Sequence, residues 1–328
     1  MTKTGCITPY SIFLFVGLVT VVTAPIIWWR FDSNVTSARF LSPNERAQAV
    51  ERLRANNTGI GSQEFKWDHV LETFMDPKTY LWIGLALLLN VGAAVTNVFG
   101  PIILEGLGFN KYITSLLNMP FGALQFVVIL LGSYASTKSR LKSPVIIALM
   151  LPVITGLAML YVLPRDHSKQ GPLLVAYYFL ACLYGVNPLL VSWIVANTAG
   201  TTKKSITMSL FNIGVSAGNI IGPLLFSTTQ APSYHPGLRA VLGINIAMVA
   251  VIIIQVANLM LLNKLQQRKR IASGKTAIIH DRSMDKKFSS TKGEGEPAEN
   301  SAASATVEDE IAYLDLTDRK NDEFVYLY

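Results

Sequence analysis

Ionisable side chains are missing from long tracts of this 328-residue chain. Seven apolar stretches, about 10–29, 79–104, 113–135, 144–163, 173–196, 205–228 and 240–262, hold no Asp, Glu, Lys, Arg or His. A run of ~20 apolar residues crosses a bilayer, and charge is costly there, so each stretch qualifies as a span. Cysteine is scarce: Cys6 and Cys182 alone exclude a disulfide framework and read as small packing residues. Alternating apolar–polar strand patterns are absent, which excludes a membrane barrel and leaves helices to satisfy the backbone. All four histidines lie outside the spans, and no Ser/His/Asp, Cys/His, HExxH or GxxxxGK[ST] set occurs. An intramembrane hydrolase, a metal site and a nucleotide loop are thereby excluded, and no cofactor is expected. A buried ionisable group for a proton relay is missing too.

What is present fits an all-α polytopic membrane protein. Hydrophobic residues make up 51% of the chain and charged ones 15%, and the net charge is +7. Lys and Arg number seventeen in 30–78, 136–143, 197–204 and 263–275, against five in the other gaps. The positive-inside rule then places the long loop and the C-terminus in the cytoplasm, and the basic excess marks topology rather than nucleic acid. The first stretch is too long for a signal peptide and runs straight into Arg30, so it reads as a true span. The sequons at Asn34 and Asn56 fall in the cytoplasmic loop, out of reach of glycosylation.

The loop 30–78 carries its own signals. Ser42-Pro43-Asn44-Glu45 is a capping box with proline at the first helical position, predicting a surface helix to about Asn56. Trp67, Val70, Leu71 and Phe74 at i, i+3, i+4 and i+7 predict an amphipathic helix against the inner membrane face or the underside of the bundle. Beyond Leu262 come four positive charges over 264–270, then a Ser-, Gly-, Ala- and Glu-rich tract at 289–306. That composition cannot offset its ordering entropy, so 263–328 is expected to be a disordered tail. The acids and aromatics of 308–328 leave a docking or turnover signal open.

Polar residues that persist inside spans tend to face a bundle interior or a watery cavity. Asn90 and Asn97 share one face of the second span. In the sixth, Asn212, Ser216 and Asn219 share a face, and Gly214, Gly218 and Gly222 lie roughly opposite at the spacing that lets helices approach closely. Asn187-Pro188 is expected to break the fifth span and expose backbone beside Tyr184, as transporters do where they build substrate sites. Candidate substrate-binding residues are therefore Asn90, Asn97, Asn118, Gln125, Tyr177, Tyr184, Asn187, Trp193, Asn197, Asn212 and Asn219, each with helix packing as its alternative role.

Seven spans with an outer N-terminus is also the arrangement of a G-protein-coupled receptor. The long first inner loop argues against it, as does the lack of an NPxxY motif in the seventh span and of an acidic-Arg-aromatic triplet in the third. Counted as one plus six, the chain resembles the major facilitator superfamily, where a long loop joins two six-helix halves. Gly132-Ser-Tyr-Ala-Ser-Thr-Lys-Ser-Arg140 sits where that family carries a basic, Gly-led motif, with Ser136 at its acidic position and Ser139 at a glycine.

A narrower resemblance is to the fungal allantoate permease family of anion:cation symporters. It rests on Ala38-Arg-Phe-Leu-Ser-Pro-Asn-Glu-Arg-Ala47, Val50-Glu-Arg-Leu-Arg54, Phe99-Gly-Pro-Ile-Ile103 and Ser115-Leu-Leu-Asn-Met-Pro120. It continues through Ser192-Trp193, Ala196-Asn197, Ala199-Gly200, Lys203-Lys204, Gly218-Asn-Ile-Ile-Gly-Pro223 and Ala231-Pro-Ser-Tyr234, and closes on Asp315-Leu-Thr-Asp318, Asn321 and Phe324. Val16, Asn34 and Val325 depart from a usual glutamate, proline and arginine.

The resemblance implies a plan of twelve spans. On it, residues 1–29 match the sixth helix, 30–78 the central cytoplasmic loop and 79–262 the C-terminal six-helix half, with the first five helices absent. It further implies a plasma-membrane protein taking up a small organic anion or vitamin-like carboxylate (allantoate, nicotinate or pantothenate type) with protons by alternating access, its coupling charges supplied by the other half. The lipid bilayer is the expected partner. The alternative, from a different class, is a non-transporting membrane interaction protein that associates with full-length permeases.

Overall fold

The computed structural model describes residues 9–32, 38–46, 48–49, 64–97, 100, 111–164, 169–226, 234–274, 315–322 and 324–328. The chain divides into two units, Met1–Ala55 and Asn56–Tyr328.

In the first unit, α1 (Pro9–Arg30) has 22 residues, or ~33 Å at 1.5 Å per residue, enough to cross ~30 Å of hydrocarbon. Its hydroxyls are satisfied on its own backbone, Thr20 donating to the Val16 carbonyl at 2.9 Å and Thr23 to the Thr20 carbonyl at 3.0 Å. Further on, the capping box forms. The Ser42 amide and hydroxyl both donate to the Glu45 carboxylate, at 2.9 and 2.8 Å, and residues 43–46 are helical. Those two bonds, the backbone one foremost, hold the Glu45 carboxyl below its ordinary value. The predicted continuation to Asn56 lies largely outside the described residues.

The second unit holds α2 (Trp67–Met75), α3 (Pro77–Asn97), α4 (Lys111–Ser139), α5 (Ser143–Val162), α6 (Gln170–Phe179), α7 (Leu183–Ala196), α8 (Thr201–Leu224) and α9 (His235–Ala272). Among the described residues, five segments of the chain are long and apolar enough to cross a membrane: Phe13–Arg30, Tyr112–Ser139, Ser143–Val162, Gln170–Ala196 and His235–Ala272. Helices α3 and α8, of 21 and 24 residues, occupy the two remaining predicted spans.

Packing follows the sequence pattern. Helix α3 is flanked by α8 and α9, α5 lies against α6, α7 and α9, and α4 runs beside α7. In α9 the buried positions Leu238, Val241, Asn245, Met248, Ile252, Gln255 and Leu259 recur every three or four residues, the seam of a helix packed on neighbours. The α8–α3 contact is backbone-close. A Cβ on Gly214 would lie 2.7 Å from the Ile83 carbonyl, and one on Gly218 would lie 2.7 Å from both the Leu87 carbonyl and the Asn90 Cβ. Gly222 is buried on the same face. Elsewhere the surface is apolar, with Phe126, Leu130, Ile220 and Ile253 turned outward, as a lipid-facing wall requires.

The structure differs from expectation at two places and specifies a third. The fifth span is not broken at Asn187-Pro188, since α7 runs through Pro188. The irregularity lies one turn before the carbonyl that the proline crowds, as a 3-10 turn at Leu180–Cys182. Helix α2 is amphipathic, but it buries His69 and Thr73 and leaves Trp67, Leu71 and Phe74 exposed. Its polar side meets the bundle and its apolar side is free for the membrane face. Finally, 263–328 is not uniformly disordered. Helix α9 has 38 residues and extends past 262 to Ala272, and residues 315–328 bury Thr317, Asp318, Phe324 and Tyr326. Composition averaged across the tail hides this, because the last residues supply aromatics to pack and acids matched to buried lysines. The predicted disorder of 289–306 lies outside the described residues.

Candidate functional site

Four of the sequence candidates meet within the membrane-spanning part. The Tyr177 hydroxyl donates to Asn118 Oδ1 at 2.9 Å, joining α6 to α4. Tyr177 also stacks on Phe121, with ring centroids 4.7 Å apart and planes 25° apart, and Tyr184 meets the same ring edge-on at 6.0 Å. The Tyr184 hydroxyl lies 2.8 Å from Thr96 Oγ1 of α3 and hydrogen-bonds the Gln125 side chain. Thr96, Asn118, Phe121, Gln125, Tyr177 and Tyr184 thus form one aromatic and amide cluster across α3, α4, α6 and α7. Tyr177 is fully buried, whereas Asn118, Gln125 and Tyr184 are half-buried and within reach of a ligand. The half-buried members can present the Tyr184 ring to a planar group and trade hydrogen bonds with amides, carbonyls or hydroxyls, on a backing formed by Tyr177 and Phe121. It contains no cation, so the charge of an anion would have to be balanced elsewhere.

The other candidates are dispersed. Asn90 donates to the Ala86 carbonyl of its own helix at 2.8 Å, and its Cβ forms part of the α8 contact. Asn97 is the last residue of α3, and its side chain lies outside the described residues. Asn212, Ser216 and Asn219 line an exposed strip of α8 opposite the glycines, and Asn187 is exposed on α7.

Trp193 and Asn197 lie away from the aromatic cluster. They stand at the basal end of the bundle, where α7 finishes and α3 and α8 begin, and there they hold the C-terminal segment. Trp193 Nε1 and Asn197 Nδ2 both donate to the Leu327 carbonyl, at 2.7 and 2.9 Å, and the Leu327 amide donates back to Asn197 Oδ1 at 2.8 Å. Their place at the end of the span that carries Asn187-Pro188 gives these residues the look of cavity lining. Their partner is 134 and 130 residues away in sequence, respectively.

The same end contains an ion cluster that a search confined to the spans overlooks. Lys203 Nζ lies 2.8 Å from Glu72, 3.0 Å from Asp76 and 2.9 Å from Asp318, and Lys78 Nζ lies 2.5 Å from Asp318. Lys203, Lys78 and Asp318 have side-chain exposures of 0%, 1% and 0%. Lys78 also donates to the Asn197 carbonyl at 2.7 Å and sits 4.8 Å over the Tyr326 ring. Burial alone would raise the Asp318 carboxyl, but Lys78 and Lys203 outweigh it and hold it far below the carboxylate range. Burial would likewise lower Lys203, yet Asp318 and Asp76 hold it above the ordinary lysine value. Beside the cluster, Asp315 caps α8, accepting from the Thr201 amide at 2.7 Å and the Thr201 hydroxyl at 2.9 Å. The one sequence signal for all this is chemical: Asp76-Pro77-Lys78 and Lys203 at helix starts, with surplus acids at 315–323.

Comparison with known proteins agrees with this architecture. The family described as "Major Facilitator Superfamily" matches residues 5–223. The chain belongs to the major facilitator superfamily. Its superfamily relatives include the MFS-type transporter cnsL of Penicillium expansum, 38% identical over 233 residues, which are 70% of this chain and 48% of the relative. The thiamine pathway transporter of Saccharomyces cerevisiae is 32% identical over 235 residues, covering 70% of this chain and 44% of that protein. The allantoate permease of the same yeast is 27% identical over 333 residues, covering 96% of this chain and 54% of the permease. The chain spans about half the length of these curated relatives. No solved structure matches it. The named relatives are transporters.

Proposed function

We propose that this chain supplies one half of an alternating-access transporter for a small organic anion or vitamin-like carboxylate, of the allantoate, nicotinate or pantothenate type, taken up with protons. The observation that carries the reading is the uncharged cluster of Asn118, Gln125, Tyr177 and Tyr184, joined by Thr96 and Phe121 among membrane-spanning helices. A planar carboxylate-bearing ring suits an aromatic wall with amide donors, and the missing countercharge and proton carrier fit a second half across the cavity. The exposed strip of Asn212, Ser216 and Asn219 on α8 lines that cavity, and Gly214, Gly218 and Gly222 hold α8 against α3. Basal residues lie in the cytoplasm, as the seventeen-to-five Lys/Arg bias requires, in a protein of the plasma membrane. Radiolabelled uptake of the three carboxylates tests this in cells making the chain alone, or joined upstream to the first five helices of a relative. Uptake is expected in the joined form, lost on Tyr177→Phe with Asn118→Ala. Uptake by the chain alone refutes the half-transporter reading.

A second reading is a non-transporting partner of full-length permeases. The lack of any charge in the cluster favours it. Co-purification with such a permease, with no uptake in either form, would establish it.

A further inference from the structure

Residues 315–328 have the physics of a bound peptide rather than of an integral element. The segment contains neither helix nor strand in its described residues, and the bundle grips its main chain with side chains. Asn263 Nδ2 donates to the Tyr326 carbonyl at 2.8 Å and its Oδ1 accepts the Tyr326 amide at 2.9 Å. Gln266 Nε2 donates to the Asp318 and Asn321 carbonyls at 2.8 and 3.1 Å. With Trp193 and Asn197 on Leu327, α7 and α9 bond the main chain of the segment at a turn over 317–321 and again at 326–327, much as a groove reads a ligand.

Its anchors are chemically separable from the bundle. Asp318 enters between Lys78 and Lys203, Thr317 donates to Glu72 at 2.7 Å, and Asp315 caps α8. With Asp318 removed, Lys78 and Lys203 still face Asp76 and Glu72, at 3.7, 3.0 and 2.8 Å. Two cations then meet two carboxylates, and Lys66, which loses Asp315 at 3.5 Å, is partly exposed to water, so the buried lysines are not left uncompensated. Both the occupied and the vacated states are electrostatically tenable, as a two-state element requires.

We propose that the basal end is a peptide-binding groove whose occupant is the chain's own 315–328 segment, acting as a releasable latch. Docked, the latch ties α2, through Glu72, to the starts of α3 and α8, the end of α7 and the extension of α9. Released, it leaves α2 held to α8 by the Glu72–Lys203 pair without the Thr317 bond, so α2 and the basal turns of α3 and α8 are less restrained. Nothing in this depends on which solute is carried, so failure of the transport reading leaves it intact.

The test uses the full chain, folded first and then cut. A protease site is inserted after Ser301, the purified protein is cleaved in detergent, and the fraction of the C-terminal fragment co-eluting with the bundle is measured. Hydrogen exchange of the α2 amides is followed in parallel. The wild-type fragment is expected to be retained, and excess synthetic peptide 313–328 to displace it, with α2 exchange rising when the groove is emptied. Peptides carrying Asp318→Asn or Thr317→Glu, the latter setting a carboxylate against Glu72, should displace it at least tenfold less well. These variants compete on a wild-type bundle, so none of them needs to fold. Immediate loss of the wild-type fragment overturns the groove, and equal competition by the variant peptides overturns the anchors. A fragment that no peptide displaces, or α2 exchange indifferent to its presence, overturns the latch.

Discussion

Replacing Lys203 by methionine should be the most damaging single change at the basal end, and more damaging than replacing its partner Asp318 by asparagine. Methionine keeps the apolar stem of the lysine but removes a cation that lies within 3.0 Å of three carboxylates. Lys78 is then left to serve Asp76 at 3.7 Å and Asp318 at 2.5 Å, with Glu72 relying on the Thr317 hydroxyl. Removing one partner of a buried ion pair typically costs about 3–5 kcal/mol. Asp318→Asn instead leaves two lysines with two acids and forfeits charge-assisted hydrogen bonds worth about 1.5–3 kcal/mol. At roughly 2–4 °C per kcal/mol, K203M should lower the apparent melting midpoint in detergent by on the order of 10 °C, and D318N by about half that. Because both residues belong to one network, the double variant should fall well short of the sum. A K203M loss no greater than that of D318N, or strict additivity, would refute the charge-counting argument.

Further outcomes follow from the same geometry. Gly218→Leu should overpack the α8–α3 contact, costing about 1–3 kcal/mol or more, because its Cβ would meet the Leu87 carbonyl at 2.7 Å. Gly243→Ala, with open space around its Cβ, is the control in the same melting assay. Tyr177→Phe keeps the stack on Phe121 but loses the bond to Asn118, a loss of about 1 kcal/mol that should appear in uptake of the joined form more than in its melting point. Retention of the 315–328 fragment should be flat from about pH 8 down to pH 5. Asp318 is depressed, so its contribution is complete above the ordinary carboxylate range and fades only as the pH falls toward its folded value. Lys203 is raised, so its contribution is complete below the ordinary lysine value. Glu72, Asp76 and Lys78 face them, and Tyr326 donates to Asp318 at 2.8 Å. Burial holds His69 below the usual histidine value, so global stability, read by melting, should dip slightly as the pH drops through about 6.5, where the unfolded chain binds the proton first.

What the sequence could reveal divides by the range of the interactions. Helices were legible where one chain segment carries the whole signal. Charge-free runs mark α4, α5, α6 with α7, and α9, and the Ser42–Glu45 capping box closes within four residues. The glycine face of α8 was readable because spacing alone determines which side of a helix can approach another. The aromatic and amide cluster was half legible. Polarity in apolar surroundings marks its members, but it marks Asn90 equally, which bonds its own helix. The basal groove was illegible for a definite reason. Lys78 and Asp318 are 240 residues apart, and taken alone Lys78 reads as an ordinary charge at the edge of a span and Asp318 as one acid of a polar tail. The tail's composition pointed to disorder since the tract at 289–306 outweighs the short sequence that docks. Trp193 and Asn197 read as cavity lining because their partner, a backbone carbonyl and amide far downstream, leaves no trace in their own neighbourhood. The position of the 3-10 turn depended on how a helix distributes a missing amide, which a proline's location does not specify.

The groove also bears on how the chain matures. Glu72, Asp76, Lys78 and Lys203 leave the ribosome, and their helices can enter the membrane, before Asp318 is made. Until then the basal end stands open, its lysines and carboxylates reachable from solvent. Synthesis of the final anchor completes the cluster, so a chain clipped after Ala272 would keep Lys78 and Lys203 facing Glu72 and Asp76 without Asp318.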